Sequence, residues 1–210
     1  RVDFYQQAVL ALGGKLFPLQ DPFGFKFIQK ELDSKRNLMH RLRLQGAYIV
    51  INLGASKETK AWTLEGFSEL ICLIHRNYPD LQILLTGAGN PDGERETQIV
   101  KQVPSGACLS AVNKTTLREL ALLVHHAKFL ISGDSLALHL GSAFKIPSIG
   151  IFGGSALPVE TKPYWESFPG LSCPLPCYPC RKKTCSHHSC MNGILASKIF
   201  EEFSSLYERC

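Results

Sequence analysis

The chain of 210 residues is 45% hydrophobic and 20% charged, an ordinary globular composition with apolar material for one domain and an appendage. No run approaches the roughly 18 to 20 apolar residues of a membrane span, and the start lacks the basic, apolar and small-residue layout of a secretory signal; a cytosolic protein, at most resting on a membrane surface, is expected. The net charge of +5 is mild and dispersed, which licenses attraction to anionic ligands or lipid but carries no nucleic-acid signal.

The chain begins at Arg1, and Val2 to Leu12 reads as a helix already under way, as in the later part of a longer protein. Leu16 to Asp33 mixes Pro18, Pro22 and Gly24 with several Phe residues and no helical period, the composition of a packed connector. From Gln45 onward, apolar runs of strand length alternate with amphipathic segments, the pattern of a parallel α/β sheet built from successive β-α units. Strands are expected at Tyr48 to Leu53, Gln82 to Leu85, weakly near Ala107 to Leu109, at Lys128 to Ser132 and at Ser148 to Phe152. Thr63 can cap a helix whose buried stripe is Phe67, Leu70, Ile71 and Ile74; Thr115 or Thr116 can cap one carrying Leu117, Leu120, Ala121 and Val124. A last amphipathic helix is expected over about Ile194 to Tyr207.

In such a sheet, ligands bind beyond the carboxyl ends of the strands, where loops run into helix N-termini of partial positive charge. After Leu53, Gly54, Ser56, Lys57 and Lys60 make a phosphate cradle, against the alternative of two solvated lysines. The loop is neither a Walker A motif nor a GxGxxG, which weighs against kinase and dehydrogenase chemistry. After Leu85, the small residues from Thr86 to Gly93 end in Asp92 and Glu94; either acid could accept from ribose hydroxyls, or simply favour the following helix N-terminus. After Ser132, Gly133-Asp134-Ser135 runs into a helix, leaving free N–H groups for an anion; His139, one turn in, is a ligand or a core histidine.

These loops, in order, resemble glycosyltransferase family 9, the ADP-heptose:lipopolysaccharide heptosyltransferases. The resemblance rests on Gly54-Ala55-Ser56 with Lys60-Ala61-Trp62, Leu85-Thr86-Gly87-Ala88, Thr116-Leu117-Arg118-Glu119-Leu120, Ser132-Gly133-Asp134-Ser135 with His139-Leu140, and Ile151-Phe152-Gly153. It implies a GT-B architecture of which this chain is the C-terminal, Rossmann-like, donor-binding half. The implied division is 1–45 as the end of an N-terminal domain plus connector, 46–170 as the nucleotide-sugar domain, and 171–210 as a cysteine-rich loop and final helix. By the same resemblance Ser56 and Lys60 hold the donor diphosphate, Asp134, Ser135 and His139 stand beside it, Lys114 and Thr115 line the nucleoside pocket, and Asp92 or Glu94 meets the ribose. Lys60 and Asp134 are the residues of this half expected to act in transfer, Lys60 stabilising charge on the leaving diphosphate without a metal. The implied partners are ADP-heptose and the lipopolysaccharide core, on the cytoplasmic side of the inner membrane. The general base of the family lies in the N-terminal half, so this chain alone is expected to bind donor without transferring it. One departure stands out: where the family has Gly after Asp-Ser, this chain has Leu136, which crowds the diphosphate, shifts donor preference or marks a member that has lost binding.

Five of the eight cysteines crowd together, and Cys177-x2-Cys180-x4-Cys185-x4-Cys190 with His187 and His188 has the spacing of a structural zinc site. It also resembles a cysteine cluster near the C-terminus of heptosyltransferase II-like members; free thiols or a late disulfide are the other readings. Arg181, Lys182 and Lys183 in this loop could meet acceptor phosphates or be solvated surface. The rival functions are a non-catalytic nucleotide-sugar-binding or zinc-stabilised module, and a family 9 transferase using another nucleotide sugar.

Overall fold

A computed structural model describes residues 25–154 and 169–209, with Ala11 and Thr161. The helix expected over Val2 to Leu12 and most of the connector lie outside these residues, apart from Ala11, which is helical. The described elements are α1 (Gln29–Arg41), β1 (Tyr48–Asn52), a 3-10 turn (Glu58–Lys60), α2 (Leu64–Asn77), β2 (Gln82–Thr86), α3 (Asn90–Gln102), β3 (Leu109–Ser110), α4 (Leu117–His126), β4 (Phe129–Gly133), α5 (Leu136–Ala143), β5 (Ser148–Phe152), β6 (Gly170–Ser172), α6 (Ser189–Asn192) and α7 (Ala196–Tyr207).

The six strands form one parallel sheet in the order β3-β2-β1-β4-β5-β6. Its central strands are apolar along their middles because both faces are covered, and turn polar at their carboxyl ends. Alternation decides the face: Ile49, Ile51, Ile83, Leu85, Phe129 and Ile131 enter one core, Tyr48, Val50, Leu84 and Leu130 the other. The first core takes Phe67, Leu70 and Ile74 of α2, Ile99 of α3, and Ile199 and Phe203 of α7. The second takes Leu38 of α1, Leu122 of α4, and Ala137 and Leu140 of α5. The result is three layers, helices on either side of the sheet.

Local sequence sets the helix boundaries. The Thr63 hydroxyl accepts from Gly66 N at 3.0 Å and starts α2. At α4 it is Thr116 rather than Thr115 that caps, accepting from Glu119 N while the Glu119 carboxylate accepts from Thr116 N at 2.8 Å. Helix α1 begins inside the segment read as connector: Glu31 accepts from Ile28 N at 2.9 Å, and only Leu38 within the helix is buried, which leaves almost no apolar period to read. The closing helix is not peripheral, since Phe203 is fully buried edge-on against Phe129 at 5.0 Å. Among the described residues no helix is long and apolar enough to cross a membrane.

Candidate functional site

The strand order reverses between β1 and β4: the chain leaves β1 toward β2 on one side and later returns to β4 on the other. Side-by-side strands whose following loops diverge open a crevice at their carboxyl ends. That crevice holds a cavity of about 670 Å³, lined by Asn52, Gly54 to Ser56, Gly87, Ala88 and Asp92, by Thr115 to Leu117 and Leu120, and by Asp134 to Ala137 with His139.

Its floor is organised by Asn52, the last residue of β1 and only 5% exposed. Asn52 stands in register with Thr86 of β2 and Ser132 of β4. Its carbonyl oxygen accepts from Thr86 Oγ1 at 3.1 Å, and its amide nitrogen donates to Ser135 Oγ at 3.1 Å and to Ser132 Oγ and the Gly54 carbonyl at 3.3 Å. Ser132 Oγ and Ser135 Oγ are themselves 2.9 Å apart. One buried amide thus ties three strand ends and the loop into α5 together. The only sequence signal for this residue is a polar side chain closing an otherwise apolar strand.

Lys60 and Asp134, 74 positions apart, meet at 2.5 Å, their side chains 16% and 9% exposed. A pair this enclosed is sensitive to loss of either partner, because the survivor keeps an uncompensated charge. Ser135 precedes α5 without a side-chain cap, so the first-turn N–H groups of α5 receive no hydrogen bond from it. The neighbouring N-terminus of α4 is closed by Thr116 and Glu119. Positive potential at the mouth therefore comes from the α5 amides, while Lys60 is outside the lining and reaches its edge through Asp134. Ser56 and Thr115 line the cavity, Ser56 exposed, and His139 lines it half-buried from the first turns of α5.

Asp92 reaches the same cavity but is 5% exposed and already engaged, accepting from Ala88 N at 2.9 Å and from Arg95 Nη1 at 2.9 Å. A Cβ on Gly87 would lie 2.8 Å from its Oδ2, so this close approach needs glycine there. Glu94 is exposed and outside the lining. Lys114 is also outside: its ammonium donates to the Ser110 carbonyl at 3.2 Å, while its own carbonyl accepts from Arg41. Leu136, 52% exposed, and Leu117, 60% exposed, both face the cavity, two of the most exposed large apolar side chains described.

The cysteines do not gather at one point, although Cys180 and Cys190 both lie against Gly154. Cys190 is buried and its Sγ accepts from Gly154 N at 3.3 Å; Cys185 Sγ accepts from His188 N at 3.4 Å; Cys177 is exposed. N–H groups of His187 and His188, with Lys182 nearby, hold the Cys185 thiol below its ordinary pKa. Among the described residues no three His, Cys, Asp or Glu side chains form a group able to hold a metal ion. The expected quartet of Cys177, Cys180, Cys185 and Cys190 is thus not assembled as a ligand set: Cys180 and Cys190 both lie against Gly154, Cys185 accepts from a separate turn and Cys177 is exposed.

The comparisons agree with this geometry. The family model "Glycosyltransferase family 9 (heptosyltransferase)" matches residues 15–191. The lipooligosaccharide heptosyltransferase 2 of Campylobacter jejuni is 27% identical over 199 residues, 86% of this chain and 62% of that protein. The E. coli ADP-heptose lipopolysaccharide heptosyltransferase II superposes with a TM-score of 0.71 at 19% identity, covering 88% of this chain and 53% of the other. E. coli heptosyltransferase WaaC, solved with ADP, gives 0.63 at 19% identity, covering 87% and 52%. The chain thus spans about half to six-tenths of the length of these relatives. Motif order, strand order and crevice agree with the match along the sequence: the chain belongs to glycosyltransferase family 9, the heptosyltransferases.

Proposed function

We propose that this chain is the donor-binding half of a heptosyltransferase that moves heptose from ADP-heptose to the lipopolysaccharide inner core. The observation that carries the reading is the convergence of Asp134, Ser135 and the uncapped α5 N-terminus on one cavity at the reversal of strand order, with Lys60 paired to Asp134 at its edge. The ADP bound to WaaC and the similarity to a lipooligosaccharide heptosyltransferase support this ligand class. As the bond from the sugar anomeric carbon to the diphosphate oxygen breaks, negative charge grows on that oxygen; the Lys60 ammonium and the α5 amides stabilise it, and Asp134 holds Lys60 in place until the diphosphate arrives. Ser56 and Ser135 donate to phosphate oxygens, Thr115 borders the nucleoside, His139 flanks the diphosphate, and Asp92 accepts from ribose with its remaining lone pairs.

Transfer also needs a base to take the proton of the acceptor hydroxyl. The family resemblance puts it in the other half, so this chain alone binds donor and transfers nothing. Residues 46–170 make the nucleotide-sugar unit, with 171–210 packed on it and 1–45 leading in from the other domain. The whole protein works at the cytoplasmic face of the inner membrane, where the exposed Arg181, Lys182 and Lys183 face acceptor phosphates. Zinc on the cysteine-rich loop rests on spacing alone; freshly purified protein without stoichiometric zinc removes it.

Calorimetric titration with ADP, GDP and UDP tests the reading. ADP binds and the others bind more weakly, and Lys60→Ala weakens ADP roughly ten- to 100-fold, the worth of one charge-assisted hydrogen bond. Equal binding of all three would point to a transferase with another donor. Binding of none would favour a non-catalytic module, for which the exposed Leu136 at the mouth already speaks.

A further inference from the structure

Lys60 sits on a single 3-10 turn in a long loop, an element with little order of its own. What fixes the turn lies more than a hundred residues away, in the cysteine-rich segment. Thr59, next to Lys60, does not line the cavity and is 2% exposed; its Oγ1 donates to the Lys182 carbonyl at 2.8 Å. The Thr59 carbonyl presses on Gly153, where a Cβ would come within 2.6 Å of it, and Met191 closes on the same point at 3.1 to 3.2 Å. Trp62, 4% exposed, donates from Nε1 to the Ile194 carbonyl at 3.0 Å. The segment is in turn anchored at the end of β5, where Cys180 N donates to the Gly154 carbonyl at 2.7 Å and Gly154 N donates to Cys190 Sγ.

We propose that the segment from Cys173 to Ile194 is the brace that places Lys60 at the donor diphosphate, and that Thr59 is the positioning residue through which it acts. This rests on the donor-site reading for its ligand, though the brace itself is a matter of the fold. Packing alone does not account for a hydroxyl here: valine has the same shape, and the group has no route to the cavity. Its role is directional, fixing the turn from which a flexible four-carbon side chain must reach both Asp134 and the diphosphate.

The test compares ADP affinity of Thr59→Val and Thr59→Ser, each alone and combined with Lys60→Ala, and follows backbone hydrogen exchange over residues 57–62 without ligand. Thr59→Val is expected to weaken ADP roughly three- to tenfold, the range of one neutral hydrogen bond. Thr59→Ser restores binding to within about twofold, since it keeps the donor. In the Lys60→Ala background the valine change adds nothing, and exchange over 57–62 quickens in Thr59→Val alone. Unchanged affinity together with unchanged exchange overturns the proposal, and so does an equal loss in the Lys60→Ala background, which would place the effect elsewhere. Trp62→Phe, which removes the other brace bond, gives the same comparison should Thr59→Val fold poorly. If the parent binds no ADP, the donor reading fails, while the exchange measurement still decides whether the brace exists.

Discussion

Replacing Asn52 by alanine probes the floor of the crevice with a cost that follows from its partners. The substitution removes the only acceptor shown for Thr86 Oγ1, at a position with no solvent exposure, and the donor to Ser135 Oγ. Ser132 and Ser135 keep each other, and Ser132 Oγ still donates to the Gly133 carbonyl, so the main orphan is the Thr86 hydroxyl. One buried unsatisfied donor costs about 1–3 kcal/mol, and loss of the remaining bonds adds about 1 kcal/mol. Asn52→Ala should therefore destabilise by about 2–4 kcal/mol, or roughly 5–15 °C in Tm for a domain of this size. Thr86→Val removes the same hydroxyl, so in urea unfolding the double variant should be less destabilised than the sum of the singles by about 1–2 kcal/mol. Strict additivity, or an Asn52→Ala cost below about 0.5 kcal/mol, would show that the amide is not the hub described.

Phe203→Ala should cost about 3–5 kcal/mol in the same assay, because the ring is fully buried against Phe129 and Tyr207; a cost near that of a surface change would detach α7 from the core. His126 is held neutral by burial and by Lys35, whose ammonium lies 3.2 Å from Nδ1, with His125 alongside; its pKa falls from 6.5 to about 4. Below pH 6.5 the unfolded chain takes up a proton that the folded chain refuses, so stability falls between about pH 6.5 and 4 and then levels. Glu31, lowered to about 2 chiefly by its hydrogen bond from Arg118, adds its own loss between pH 4.5 and 2. His126→Asn should flatten the upper window and leave the lower, and an unaltered pH profile of the urea midpoint would refute the assignment. Leu136→Gly should tighten ADP about fivefold or more, the return of roughly 1 kcal/mol of crowding; parent-like binding removes the crowding idea.

What could be read in the sequence was what a short window carries. The central strands declare themselves because each is an uninterrupted apolar run, and α2, α4 and α7 because a capping residue or a spaced stripe marks them. Strand β6 carries no strand signal, being three residues with Gly170 and Ser172 at its ends, and the polarity of α1 masks its period. Loop residues facing the cavity were legible as types: Ser56, Asp134, Ser135 and His139 all arrive there. Lys114 does not, because its side chain is drawn back to the end of β3. Partnership was not legible at all. That Lys60 would meet Asp134 and that Thr59 would hang from Lys182 depends on loops brought together by the sheet, which no local pattern encodes.

The rims of the sheet carry a practical consequence. Among the described residues it ends in β3, two residues long, on one side and in β6, three residues long, on the other, with Pro169 just before the latter. A sheet recruits further chains through long rows of unpaired N–H and C=O groups, and rims this short offer almost none. An α/β half of this kind offers little purchase for strand-by-strand polymerisation at the high protein concentrations that weak nucleotide binding demands.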